Sequence, residues 1–277
     1  QIRIDRVELG APVLGEAVAL SVEGAVSLDA GAGSADLGIT RLDGDGTLSL
    51  NASFSNETRV LSLDLDASEG PCGIVAGLLN LPDRPALGLT LAGEAPLDDF
   101  EARVALSRNA VPRLTGTLRL QGDPETEARR FEARLGGDVR PFFTAELRSF
   151  FGEREQLRLI GRTEAQGGTV IEDITLRTER LRLAGALELD AEGWPLRVAL
   201  DGALGADGAL LRLPVAGPPT RLRQADLSAR YDAAEGQGWQ ARAVVQDLQR
   251  EGVRITQARL DGRGQIRRGE TRGVMAE

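Results

Sequence analysis

The sequence predicts a mainly β fold: an elongated, curled antiparallel β-groove (a β-taco) built from about four repeats of about 69 residues, with two short helices. Three observations predict it. Apolar residues recur at every second position over most of the chain, the connectors are short and rich in turn residues, and two glycine markers return in step.

Along the chain, the alternation runs through Leu61, Leu63 and Leu65, then Leu87, Leu89 and Leu91, then Ala102, Val104 and Leu106, then Leu118 and Leu120. It resumes at Leu157 and Leu159, Leu181 and Leu183, Leu187 and Leu189, and Leu196, Val198 and Leu200. Ser, Thr, Asp, Glu and Arg fill the positions between. One sheet face is therefore leucine and the other charged, the pattern of an antiparallel sheet with one wet face. Leu63, Leu65, Leu89, Leu91, Leu118, Leu120, Leu157, Leu159, Leu181, Leu183, Leu187 and Leu189 are expected to line the inner face. Arg119, Arg158, Arg182, Asp64 and Glu188 are expected to face water. The connectors DGDG at 43–46, RNAVP at 108–112, AEGWP at 191–195 and AEGQG at 234–238 favour hairpins over helical crossovers.

Two segments break the alternation. The stretch 72–81, between Pro71 and Pro82, puts Ile74, Leu78 and Leu81 on one helical face. Gly73 and Gly77 each weaken that helix by about 1 kcal/mol against Ala. From Pro141 to Phe151, Phe143, Leu147, Phe150 and Phe151 fall at i, i+4, i+7 and i+8, which predicts a short amphipathic helix closed by Gly152.

The repeat is read from short motifs. Leu-x-apolar-x-Gly occurs at 20–24, 89–93 and 157–161, and Gly-x-Leu-x-Leu at 46–50, 116–120 and 185–189. The two helical segments share the same offset, Ile74 to Phe143 and Leu78 to Leu147. The whole chain 1–277 then reads as one repeat segment of a longer protein, with approximate units 1–70, 71–139, 140–207 and 208–277, each of about five strands and a connector. No unit can bury its leucine face alone, and the accumulated twist of so many strands should curl the sheet into a trough.

Composition excludes much. Histidine is absent, which removes Ser-His-Asp, Cys-His and His-ligated metal chemistry. Cys72 is the single cysteine, so no intrachain disulfide forms, and it is expected to be a small buried residue. The net charge is −9, and all 33 cations are scattered Arg; nucleic acid is not an expected partner. The longest apolar run, Ile74 to Leu81, is far short of the roughly 20 residues that span a bilayer. The DGDG turn lacks the spacing of a calcium loop, and GAG at 31–33 lacks the setting of a dinucleotide fingerprint. The carboxylate pairs Asp98 with Asp99, Asp64 with Asp66 and Glu172 with Asp173 are not accompanied by the aromatics that a sugar cleft needs. No catalytic, metal or cofactor site is expected, and the chain is not read as an enzyme.

A leucine-lined concavity suits acyl chains. The same leucine face could equally be the dry interior of a structural or protein-docking scaffold. A membrane barrel would need longer strands and aromatic girdles, and Trp194, Trp239 and Tyr231 are all the Trp and Tyr present.

On these residues, the chain resembles a family. The helix followed by 81–106, the Phe150-Phe151-Gly152 segment followed by 157–161, and the run 181–202 are similar to the central region of the translocation and assembly module (TamB) family of Gram-negative bacteria, in an alphaproteobacterial variety. That family belongs with the AsmA-like and repeating β-groove, bridge-like lipid-transfer proteins. The resemblance implies a periplasmic segment of an inner-membrane-anchored protein that shields phospholipid acyl chains between the inner and outer membranes. It further implies an anchor N-terminal to this segment and an outer-membrane Omp85-type partner engaged C-terminal to it.

Overall fold

The computed structural model describes residues 1–11, 15–29, 31–122, 128–145, 148, 150–205, 208–213, 215, 217–266 and 275–276. Strand accounts for 67% of the chain and helix for 4%, an antiparallel mainly β fold in which the sheet is open. The chain packs as two compact units, residues 1–122 with 141–143, and residues 123–140 with 144–277.

The first unit is an eight-stranded meander: β1 (Ile2–Leu9), β2 (Val18–Asp29), β3 (Ala32–Arg41), β4 (Gly46–Ser55), β5 (Val60–Glu69), β6 (Leu87–Pro96), β7 (Asp99–Arg108) and β8 (Val111–Gly122). Each strand pairs antiparallel with the next, and among the described residues no pairing returns β1 to β8. A helix, α1 (Ile74–Leu78), lies between β5 and β6.

The second unit contains β9 (Arg129–Gly137), β10 (Glu155–Thr163), β11 (Thr169–Arg177), β12 (Leu181–Leu189) and β13 (Pro195–Leu204). After the two-residue strands β14 (Leu211–Arg212) and β15 (Arg221–Leu222) come β16 (Gln224–Asp232), β17 (Gly238–Arg250), β18 (Val253–Gln265) and β19 (Met275–Ala276). Here β13 pairs with β16, so β14 and β15 form a small side ladder joined to β17.

Register turns the alternation into rows that cross the strands. In the first unit, one row reads Ile4, Val22, Ile39, Leu48, Ala67, Leu89, Leu106 and Leu114, and the next Ile2, Gly24, Leu37, Leu50, Leu65, Leu91, Val104 and Gly116. In the second unit, Leu135, Leu157, Leu176, Leu183, Gly202, Leu227, Ala243 and Leu260 form one row. Beside it stand Ala133, Leu159, Ile174, Gly185, Leu200, Ala229, Ala241 and Gly262. Every member of these rows is apolar.

Gly24, Gly116 and Gly185 stand in these rows, and Gly93 and Gly161 in neighbouring rows of the same face. A Cβ on Gly161 would stand 2.6 Å from both Phe131 Cζ and the Val170 carbonyl oxygen, and one on Gly185 2.6 Å from Leu200 Cδ2. One on Gly93 would meet Phe100 Cζ at 2.9 Å. Large side chains lie flat across these glycines, and the cover needs an absent Cβ. The markers also fix the period. Gly24, Gly93 and Gly161 fall on β2, β6 and β10, and Gly46, Gly116 and Gly185 on β4, β8 and β12. The repeat therefore spans four strands and a linker, where the sequence suggested about five strands.

Three local expectations are corrected. The segment 141–151 is not an α-helix among the described residues: Arg140–Phe142 form a 3₁₀ turn, and a single bond from the Arg148 amide to the Thr144 carbonyl (3.2 Å) follows. Leu147 lies outside the described residues. Four phenylalanines and Thr144 have modest helix propensity, and Phe150 is drawn into the core of its unit instead. Cys72 is exposed, not buried. Its φ of 61° turns the chain away from β5 into the linker, and the side chain follows. The helix expected over 72–81 forms over Ile74–Leu78 only; Asn80, at φ 50°, ends it.

Gly161→Val should therefore lower the unfolding free energy by about 2 kcal/mol, because neither Phe131 nor the β11 backbone can yield freely. Gly38→Val, where the nearest atom to a Cβ is the Glu23 carbonyl oxygen at 3.9 Å, should stay within about 0.5 kcal/mol of the parent. Urea unfolding followed by far-UV circular dichroism separates the two.

Candidate functional site

The candidate site is the apolar face itself, and its two rims differ. In each unit the long linkers lie at one strand edge, and the opposite edge carries hairpins. Residues 10–17 and 70–86 are the linkers of the first unit; 205–223, and 138–154 apart from 141–143, are those of the second.

At the linker rim of the first unit the face carries charge. The outermost row reads Leu20, Arg41, Gly46, Glu69, Leu87 and Arg108. Buried charge needs partners, and the linkers supply them. The Glu69 carboxylate accepts the Val75 and Ala76 amides (2.9 and 2.8 Å), which satisfies the first turn of α1. Arg41 pairs with Asp43 at 2.9 Å and with Glu16 at 3.5 Å, and Glu16 also meets Arg84. Arg84 in turn donates to the Cys72 and Gly73 carbonyls (2.9 and 2.8 Å). Val18, Ala76 and Leu87 are buried beneath this clasp.

The linker rim of the second unit is apolar. Phe150, Leu204, Leu211, Leu222 and Ala225 form a buried cluster, flanked by Phe151, Leu181, Leu213, Val245 and Leu248. Phe150 and Phe151 meet edge to face at 5.1 Å. Beside it Glu155 is buried; one carboxylate oxygen accepts the Val139 amide at 3.3 Å and the other has no partner. Burial raises the Glu155 carboxyl above its ordinary range, against the lowering by the Val139 amide.

Away from the linkers much of the same face is uncovered, although Phe100, Ala102 and Tyr231 toward the hairpin rim are buried. Leu28 is 85% exposed, and Leu120 and Leu260 are 50% and 62% exposed. In the second unit Leu183, Leu200, Leu227, Ala241 and Leu260 open onto a concavity of about 530 Å³. In the first, Val26, Leu28, Ala35, Ala52, Phe54 and Leu61 open onto one of about 590 Å³. Concavities of similar size occur over the polar face, as between Arg134, Gln156, Arg158 and Arg177. Lining, not volume, marks the site.

The twelve leucines singled out from the sequence all stand on the apolar face by register. Leu63, Leu65, Leu91, Leu118, Leu157, Leu159, Leu181, Leu183, Leu187 and Leu189 are half-buried, and Leu89 and Leu120 are exposed. Asp64, Arg158 and Arg182 are exposed on the other face, and Arg119 and Glu188 are half-buried there. Four of the six carboxylates weighed from the sequence are held by arginines: Asp98 by Arg59, Asp99 by Arg119 through two bonds of 2.6 Å, Asp173 by Arg158, and Glu172 by Arg162. The Arg119 bonds hold the Asp99 carboxyl below its usual range. A bulge in β11 places Glu172 and Asp173 consecutively on the charged face, where Glu172 meets both Arg130 and Arg162. The linker rims escaped the sequence reading, since Glu69 and Arg41 occupy apolar-phase positions that alternation alone marks as errors.

Two predictions follow from the contrast between rims. Leu211→Ala, at 2% exposure, should cost about 2–5 kcal/mol of stability, whereas Leu260→Ala should cost under about 0.5 kcal/mol; thermal unfolding measures both. Because the folded-state pKa of Glu155 is raised, its ionisation opposes folding as pH rises from the ordinary carboxylate range through the raised value. Glu155→Gln should therefore be more stable than the parent at pH 7 and lose that advantage below the ordinary carboxylate range, as urea midpoints across pH would report.

No helix among the described residues is long and apolar enough to cross a membrane. No family model, curated protein or solved structure matches this chain.

Proposed function

We propose that this chain is a segment of a lipid-transfer bridge: its apolar face shields phospholipid acyl chains from water while the headgroups stay in solvent at the hairpin rim. The carrying observation is the asymmetry of cover. The chain closes its own apolar face at the linker rim and leaves much of it beyond that rim exposed, as at Leu28, Leu120 and Leu260, although a contiguous exposed apolar surface is costly for a protein without a partner for it. Each CH₂ taken from water by such a face gains about 0.8 kcal/mol, enough for two shielded chains to offset much of their removal from a bilayer. Rows of leucine, alanine and glycine without polar specificity residues make neighbouring positions nearly isoenergetic, which suits sliding. The carboxylates held by arginine on the opposite face give no support to an enzymatic reading. On the resemblance noted in its sequence, such a segment would lie in the periplasm, between an inner-membrane anchor and an outer-membrane partner, and support outer-membrane assembly.

The rival is a structural or protein-docking scaffold whose apolar face is covered by protein. Photoreactive residues at Leu118 and Leu187, compared with Arg119 and Glu188, distinguish them in a Gram-negative envelope. Phospholipid adducts from the leucine pair alone support the bridge; protein adducts without lipid favour the scaffold. In the protein that contains this segment, Asp at both positions should abolish transfer while abundance and strand content stay unchanged.

A further inference from the structure

The hairpin rim of the second unit carries an unexplained pair. Tyr231, near the end of β16, stands directly opposite Trp239, near the start of β17, on the apolar face beside Val198. Tyr231 is 5% exposed, and neither its Oη nor the Trp239 Nε1 has a hydrogen-bond partner, although both atoms are buried. A buried phenol or indole donor normally finds an acceptor, and leaving one unmet is destabilising. Tyr231 is the chain's single tyrosine and Trp239 one of its two tryptophans. The remaining one, Trp194, sits in the neighbouring β12–β13 hairpin, since β13 pairs with β16. The corresponding positions of the same row on the preceding strands are Phe131, Gly161, Ile171, Leu187 and Val198, with no polar tip among them.

The Trp239 ring covers Gly262, whose Cβ would lie 3.1 Å from Cζ3, and the ring borders the concavity lined by Leu183, Leu200, Leu227 and Leu260. The order from linker rim to hairpin rim is thus packed cluster, open leucine rows, two unmet donors, solvent. That order matches a lipid laid along the strands: methyl ends deep, acyl carbonyl next, headgroup outside.

We infer that Tyr231 and Trp239 form a hydrogen-bonding station for an acyl carbonyl oxygen, a fixed stop along an otherwise featureless trough; this rests on the lipid reading above. The indole N–H can only donate and the phenol O–H donates as well, so the ligand atom must be an acceptor. A neutral ester oxygen fits better than a carboxylate, because no cation stands in the row to compensate a buried charge.

The test uses the chain with Trp194→Phe, so that Trp239 fluorescence reports alone, and diheptanoyl phosphatidylcholine below its micelle concentration. The comparison ligand is the matching diether lipid, identical but for the two carbonyls, with heptanoate as a third arm. The ester should bind about tenfold tighter than the ether, the worth of one to two such bonds. That ratio should fall to near unity in Tyr231→Phe with Trp239→Phe, read by displacement of a fluorescent acyl probe. In the parent, the Trp239 indole proton resonance should move downfield with ester and not with ether, a readout that needs no second variant. Equal binding of ester and ether overturns the station and leaves the trough intact. Heptanoate binding above the ester overturns the choice of a neutral carbonyl. Failure of every lipid to bind overturns the trough itself.

Discussion

The governing constraint is that a single-layer sheet has two faces and the chain covers only part of one. Backbone hydrogen bonds are satisfied by the ladders, and the charged face is satisfied by water and by cross-strand arginine–carboxylate pairs such as Arg197 with Asp232 and Arg242 with Asp261. What remains is the apolar face, which within each unit no second sheet covers among the described residues. Each linker solves the problem locally, with charge in the first unit and with aromatic and leucine packing in the second. The open rows are the unsolved remainder, and the functional reading grows out of them.

Much of this was legible in the residues. The period-two leucines give the strands and faces directly, because a strand offers no other way to place Leu61, Leu63 and Leu65. The glycine markers give the repeat, and their steric reason, cover by Phe131, Leu200 or Phe100, requires the register. Less legible was everything held by long-range packing. The helical spacing of Phe143, Phe150 and Phe151 lost to the pull of Phe150 into a cluster with Leu211 and Leu222, residues 61 and 72 positions away that no window contains. Cys72 was misread because typical burial of a free thiol says nothing about a left-handed turn. The aromatic pair at 231 and 239 looks unremarkable in sequence; its meaning depends on which strand lies opposite.

The polar face also explains a compositional oddity. With arginine as the sole cation, one guanidinium can bridge carboxylates on two strands, as Arg158 does with Glu132 on β9 and Asp173 on β11. A planar fork with several donors suits that geometry better than a point ammonium. Such exposed pairs contribute little each, yet they discourage register slips, since a one-residue shift would turn every arginine of a strand toward leucine.

The four-strand period has a consequence for how such a chain can change length. Four is even, so a chain leaving a linker always comes back to the edge it left, and the next linker lands where the last one did. Insertion or loss of one strand would break this arithmetic and deliver the following linker to the hairpin edge, closing the side that is open and opening the side that is closed. Gain or loss of a hairpin, or of a whole repeat, leaves the bookkeeping of edges untouched. Descent by duplication of complete modules is therefore the natural route for such a sheet, and lineages of different length should differ by even numbers of strands.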